Sequence, residues 1–353
     1  MDLYVLDGLN GVSDIISSYQ SCIWTTQYFG QGDFQLVVNA STKNVDILKP
    51  GAYIVRDIDV GEDEFNNVMV VQGYKLDFDT DKGWLLTLTG KGLKNDILKR
   101  RIVWSQTNLS GTAEEGIRQV ITENCISPSD TDRAIDDLIL DTLNGWEEEI
   151  EQQLLGENIA EWLEEICTTY GYGWDIYISG GKYVFKLYKG TDHTYNSQYP
   201  VVFSPEYDNL LSSSYEYNLN SYKNAALVGG EGEGTSQRTA TVGTATGLNR
   251  YEMYVDGGSV SSNGEIITLE TYLKMLQEYG QTELDQTAYT ETFSGDIDSV
   301  GLYVLNRDYF LGDIVQIVNE LGISATPRIV EIIYSEDENG VTVLPTFNQW
   351  EVQ

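Results

Sequence analysis

Several stretches of the chain carry residue types at spacings that chemistry uses. Asp77-Phe78-Asp79-Thr80-Asp81-Lys82-Gly83 places carboxylates at alternate positions, as the start of a calcium loop does. Lys82 stands where such a loop needs glycine, and Leu88 where it needs a bidentate glutamate, so the segment reads as the charged turn of a hairpin. Asp57-Ile58-Asp59-Val60-Gly61-Glu62-Asp63-Glu64 departs from the pattern in the same way and reads as an exposed acidic loop. Gly229-Gly230-Glu231-Gly232-Glu233-Gly234 has the glycine density of a phosphate cradle. Glu231 and Glu233 would repel a phosphate, however, and no Gly-Lys-Ser/Thr follows, which leaves a mobile loop. His193 is the single histidine, and its polar neighbours Thr191, Asp192, Thr194 and Tyr195 suggest a solvated loop.

These residues do not add up to a catalytic constellation. One histidine cannot build a His-rich metal site, and no G-x-S-x-G or C-x-x-C accompanies it. Paired carboxylates occur by chance among 55 acids, so a glycosidase-like pair is not distinguished by counting. The expectation is a chain with no catalytic residue, no metal and no cofactor. Cys22, Cys125 and Cys167 are sparse and odd in number, which argues for a reducing compartment and against a disulfide framework. The start, Met1-Asp2-Leu3-Tyr4-Val5, lacks the form of a signal peptide, and no run reaches the ~18 apolar residues of a membrane span. A protein made in the cytoplasm, soluble and without stable membrane insertion, is expected.

Charge is the strongest compositional signal. The 353 residues hold 21 Lys+Arg against 55 Asp+Glu, a formal net charge of −34. Phosphate contacts need Lys and Arg, so this surface repels nucleic acid. In a conduit for DNA that repulsion would let the polymer slide, and the lumen would be net negative, with few cations within a Debye length of about 8 Å. Thirteen acids and one base, Arg133, lie between Asp130 and Glu165; they form either a solvated helix face or an electrostatic surface. The one basic cluster is Lys99-Arg100-Arg101. It is either a guard on a strand edge or, the reading favoured here, a set of inter-subunit contacts for so acidic a surface. The 24 tyrosines suit strands and also glycan or protein surfaces.

The elements that hold these residues follow from periodicity. One pattern occurs twice: a glycine-preceded strand, a loop, then a hairpin with an acidic turn ending in glycine. The first copy runs from Leu48-Lys49-Pro50-Gly51 through residues 68–76 and the return run 84–88. The second runs from Phe310-Leu311-Gly312-Asp313 through 328–334 and 341–344. Two superposable β-barrels are the simplest explanation, and one continuous sheet across both would count against it. Three such chains would set six similar modules around an axis. Residues 1–103 read as strands and the first barrel. Residues 104–199 are an α+β insertion: Thr112-Ala113-Glu114-Glu115 is a capping box, and Asn158 caps a second helix that Gly171 stops. A hairpin around Ser179-Gly180-Gly181-Lys182 follows. Residues 200–290 hold strands and one amphipathic helix, with Leu269, Tyr272, Leu273, Leu276 and Tyr279 on one face. Residues 291–353 are the second barrel. The fold class is β-rich α+β, with two small tube-like barrels and peripheral insertions.

Carried by those residues, the chain resembles the tail-hub (baseplate-hub) proteins of tailed bacteriophages, of the siphophage type. The likeness runs through Ile23-Trp24-Thr25-Thr26-Gln27-Tyr28-Phe29-Gly30-Gln31-Gly32-Asp33-Phe34-Gln35-Leu36, Leu86-Thr87-Leu88-Thr89-Gly90-Lys91-Gly92-Leu93 and Leu98-Lys99-Arg100-Arg101-Ile102-Val103. It resumes at Ser221-Tyr222-Lys223-Asn224-Ala225-Ala226-Leu227-Val228-Gly229-Gly230-Glu231-Gly232 and Leu311-Gly312-Asp313-Ile314-Val315. The resemblance implies a structural homotrimer that closes the distal end of the tail tube beneath a hexameric ring of distal tail protein. It implies contact with the tape measure protein and with tail fibres or receptor-binding proteins, and passage of DNA through the lumen without specific binding. The implied location is the virion tail tip, after assembly in the bacterial host cytoplasm. Some relatives carry a cell-wall-degrading domain after the hub, whereas here the last barrel strand is followed closely by Trp350-Glu351-Val352-Gln353, so no attached lysin is expected. The alternative is a soluble glycan-binding or glycan-cleaving β-rich protein.

Overall fold

Apolar and polar residues alternate through most of the first ninety positions, and the backbone follows with strands. The computed structural model describes residues 1–262, 268–298 and 301–348. In chain order come β1 (Leu3–Leu6), β2 (Val12–Ile16), β3 (Ser21–Gln27), β4 (Asp33–Asn39), helix α1 (Thr42–Ile47), β5 (Tyr53–Arg56), β6 (Glu64–Phe65), β7 (Met69–Asp79) and β8 (Gly83–Gly92). The acidic turn expected at residues 77–83 is shorter: Asp77 to Asp79 still pair within the ladder and residues 80–82 form the β7–β8 turn, where the Asp79 carboxylate accepts the amides of Asp81 and Lys82, each at 2.8 Å. In the acidic loop at 57–64, Ile58 and residues 61–64 are exposed, Asp57 and Val60 are half-buried, and Arg56 Nε holds the Asp59 carboxylate at 2.6 Å with both side chains largely buried.

Strand character ends at Gly92. Residues 93–98, read from sequence as part of the β-patterned region, form helix α2 (Leu93–Leu98). Leu93, Ile97 and Leu98 recur at near-helical spacing and are buried. Lys94 is also buried: its ammonium donates to the carbonyls of Gln27 at 2.9 Å and Trp174 at 3.0 Å. Asn95 donates to the Gln31 side chain.

The next stretch packs β9 (Thr107–Thr112), α3 (Ala113–Ile121), β10 (Leu138–Leu140), β11 (Glu149–Leu154), α4 (Ile159–Tyr170), β12 (Gly173–Ser179) and β13 (Lys182–Tyr188). Thr112 caps α3 by accepting from the Glu115 amide, Asn158 caps α4, and Gly171 ends α4 in the left-handed region at φ 68°. Ile117, Ile121, Leu163 and Phe185 join Val55, Val68, Val70 and Leu93 in one core. The insertion therefore packs onto the back of the first strands rather than around a core of its own.

Two compact units divide the chain: residues 1–211 with 297–348, and residues 212–296. The short strands β14 (Asp192–His193) and β15 (Val202–Phe203) belong to the first. The second is built from β16 (Leu210–Asn218), β17 (Ala225–Gly229), β18 (Thr239–Val242), β19 (Glu252–Asp256), α5 (Leu269–Asp285) and β20 (Thr290–Ile297). There β16 pairs with β20, the sheet order β18-β17-β19 is separate, and α5 lays Tyr272 and Leu276 on Ala226, Val228 and Val255.

The chain ends in β21 (Ile314–Val318), β22 (Ser324–Ala325), β23 (Ile329–Asp337) and β24 (Gly340–Phe347); residues 349–353, including Trp350, Glu351, Val352 and Gln353, lie outside the described residues. β21 joins β14 and β15 in parallel, with β22 antiparallel on it. The large sheet has nine strands in the order β2-β1-β5-β7-β8-β4-β3-β23-β24.

That order corrects the expectation of two superposable barrels. β23 pairs with β3 from Glu331↔Gln27 to Glu336↔Cys22, so the second hairpin extends the sheet of the first instead of closing on itself. β4 covers one edge of β3, and the apolar alternation of β23 matches the edge that remains. The sheet also curls. A flat sheet spaces strands by about 4.8 Å, so β5 and β3, four places apart, would stand roughly 19 Å away from each other. Arg56 on β5 instead lies 5.5 Å from the Trp24 ring on β3 and 5.8 Å from Tyr334 on β23. Inside the curl, Leu3, Trp24, Leu36, Ile54, Leu86, Leu88 and Tyr334 share one core.

Candidate functional site

Six strands of this sheet, β7 to β24, carry the inner core on one face only. Residues directly opposite in an antiparallel ladder share a face, so the register defines the other one. Leu85↔Asp77, Thr87↔Lys75, Gln35↔Thr89, Asp33↔Lys91, Ile23↔Gln35, Gln27↔Glu331, Ser335↔Ile23 and Ser335↔Thr342 all point away from the core. Apart from Thr25 and from Val70, which pairs with Lys91 and is buried under the insertion, the side chains on this face are half-buried or exposed. It is a wall rich in Thr, Ser, Gln and Asn. Its charged groups are Asp33, Asp77, Asp79, Glu331 and Asp337 against Lys75 and Lys91. Each lysine is bound to a neighbouring carboxylate, Lys75 to Asp77 at 2.9 Å and Lys91 to Asp33 at 3.2 Å. The wall is net negative, and neither cation on it stands free.

A bulge makes this division possible. Val71 pairs with Gly90 but Gly73 with Thr89, which adds one residue to β7 and reverses its alternation. Met69 and Val71 face the core before the bulge; Tyr74, Leu76 and Phe78 do so after it. Sequence reading found the hairpin but not the wall, because the parity change at Gly73 is visible only once the partner strand is known.

The basic cluster sits elsewhere. Lys99, Arg100 and Arg101 follow helix α2 and lie on no strand themselves, although Lys99 and Arg100 stand beside β7 at Val70, Val71 and Gln72. Lys99 and Arg100 are exposed; Arg100 pairs with Asp96 at 2.5 Å, and the Lys99 carbonyl accepts from Asn158 Nδ2 at 2.8 Å. Arg101 turns inward, and its Nε is buried without a hydrogen-bond partner among the described residues. Lys99 and Arg100 border an open cleft of about 450 Å³ with Gly51, Gln72, Asn95 and Asp96.

Other sequence candidates take structural places. His193 is not a solvated loop residue: it lies on β14, with Nε2 3.4 Å from the buried Asp313 carboxylate and Nδ1 2.9 Å from the Tyr199 carbonyl. Asp313 also accepts the amides of Thr191 at 2.6 Å and Phe310 at 2.7 Å. The glycine-rich stretch is not a free loop. Gly230 is buried, Tyr272 receives the Glu231 amide at 2.7 Å, and the Glu231 carboxylate takes Ser262 Oγ at 2.6 Å. Those hydrogen bonds hold the Glu231 carboxyl below its ordinary range. Burial pushes the Cys22 thiol up to about 12 and that of Cys125 up to about 11, so both stay protonated and inert. All three cysteines are free and buried. Tyr217, Tyr222, Tyr251 and Tyr289 cluster in the second unit, with ring centroids 5.3–6.1 Å apart. Among the described residues no three His, Cys, Asp or Glu side chains are grouped to hold a metal ion, and no helix is long and apolar enough to cross a membrane.

Three solved structures share this architecture over nearly their whole length. The 43 kDa tail protein of prophage MuSo2 from Shewanella oneidensis matches at TM-score 0.56 and 15% identity, covering 99% of this chain and 98% of that one. The tail protein from Neisseria meningitidis MC58 matches at 0.54 and 16%, covering 98% and 96%. Prophage tail protein gp18 from Listeria monocytogenes EGD-e matches at 0.52 and 12%, covering 99% and 95%. At these identities the likeness is one of fold. No curated protein matches the chain significantly. The family assignment rests on sequence: the family model described as Siphovirus ReqiPepy6 Gp37-like protein matches residues 2–347, and the chain belongs to that family of siphovirus tail proteins.

Proposed function

We propose that this tail protein is the hub that closes the distal end of the tail tube as a homotrimer. Each chain would supply two hairpins, β7–β8 and β23–β24, carried by one curled sheet. Three chains then present six hairpins and adapt threefold symmetry to the sixfold ring of distal tail protein. Residues 104–199 and 200–290 are peripheral insertions, and the hub's partners are the tape measure protein and the fibre or receptor-binding proteins. The role is structural, without a catalytic step, at the virion tail tip.

The observation that carries this reading is the polar wall. A conduit for DNA needs hydrogen-bonding side chains that wet the surface and a negative field that prevents phosphate from binding. The face of β7-β8-β4-β3-β23-β24 supplies both, and its two lysines are already neutralised. The test is to place cations on the wall in assembled particles, with Gln35→Lys and Thr87→Lys together. Particles should assemble normally and release DNA at least severalfold more slowly, with the defect relieved by added salt. Normal release from particles carrying both lysines would reject the wall as the lumen lining.

A further inference from the structure

We propose that the outer edge of β7 docks a second copy of this chain, with Lys99 and Arg100 taking that copy's carboxylates. The proposal rests on the trimeric hub reading and identifies where its subunits meet. β7 touches β5 only at Val70↔Tyr53 and Met69↔Ile54. From Gln72 to the turn, that edge faces no strand among the described residues, and an unpaired edge of this length invites another strand.

The side chains along the edge point the same way. Tyr74, Leu76 and Phe78 are 49%, 42% and 62% exposed, although their partners across the ladder include Leu86 and Leu88, which are fully buried. The row therefore continues a core layer that the chain itself leaves uncovered. Trp84, 57% exposed, lies 5.4 Å from Phe78 and completes it. A strand added here would extend both the apolar layer and, on the opposite face, the polar wall.

Charge selects the occupant. The cleft at the foot of this edge is bordered by exposed Lys99, which has no ion pair among the described residues, and by Arg100, which shares Asp96. A partner that fits combines strands with an excess of carboxylates. A second copy has both, with 55 acids against 21 bases. A copy related by rotation about an axis would add its strand in the same sense and continue the wall.

The test uses the full chain and begins with its mass in solution. Leu76→Cys and Phe78→Cys, each exposed while the native thiols are buried, are treated with a thiol-to-amine cross-linker in a mixture of isotopically light and heavy protein. Light-to-heavy cross-links from these positions are expected. Lys99→Glu with Arg100→Glu should raise the concentration needed for assembly roughly tenfold. A trimer with no cross-link from this row and unchanged assembly in the charge-reversed variant overturns the docking edge and leaves the hub reading intact. A monomer at every concentration overturns both. If the charge-reversed variant does not fold, the cross-links decide alone.

Discussion

At the scale of single residues, two buried ionisable groups hold distant segments together. Lys94 is fully enclosed, its ammonium shared between two carbonyls and 4.7 Å from the Trp174 ring centroid. Burial pushes its pKa down to about 8 from the usual 10.5. Below pH 8 both folded and unfolded chains hold the proton, and folding carries the full cost of burying the charge. Between pH 8 and 10.5 the folded chain loses the proton first, so stability gains as pH rises. Relative to Lys94→Met, the native chain should gain about 3 kcal/mol across that window, read from urea midpoints at each pH. A gap that stays constant or shrinks would show the ammonium to be solvated. Asp313 ties the loop before β21 to β14 through two amides and His193. Asp313→Ala removes the shared acceptor of both amides and the carboxylate beside His193, and should cost about 1–3 kcal/mol in chemical denaturation.

At the scale of elements, the basic turn owes its position to the start of α4. Asn158 Oδ1 accepts the amides of Ala160 and Glu161 at 3.1 and 3.3 Å, while Nδ2 holds the Lys99 carbonyl at 2.8 Å. The two functions are separable. Asn158→Ala removes the cap and the tether and should cost about 1–2 kcal/mol. Asn158→Asp keeps the cap and loses only the tether, so it should fold nearly as well yet assemble more weakly if Lys99 meets a partner. Denaturation and sedimentation on the same two variants separate these effects; equal assembly in both would disconnect the tether from oligomerisation.

At the scale of the whole molecule, the two units have separate cores. Leu276 lies in the core of residues 212–296 with Val228, Val255 and Tyr272, apart from the clusters that build the sheet and insertion of the first unit. Leu276→Ala should cost about 2–4 kcal/mol. Hydrogen exchange should show that loss in β17, β19 and α5 while β3, β4 and β8 keep their protection. Loss of protection in both units together would show one cooperative body.

Local chemistry was legible without the fold. The hairpin at residues 179–182, the caps at Thr112 and Asn158, and the stop at Gly171 each depend on a few neighbouring residues and stand where the sequence places them, and the acidic hairpin does too with its turn narrowed to residues 80–82. The failures share one cause, which is pairing between residues far apart in the chain. The second hairpin was visible, but nothing within it tells that β23 will lie beside β3, some three hundred residues earlier, and so merge two expected barrels into one sheet. His193 looks solvated until Asp313 arrives from the far end, and residues 93–98 look extended until Gln27 and Trp174 offer carbonyls to Lys94. The sequence by itself determined the acidic excess, the alternating strands and the family. Which alternate residues make the wall was decided only by the tertiary structure, because one extra residue at Gly73 reverses the face of everything after it, and only the register with β8 reveals that.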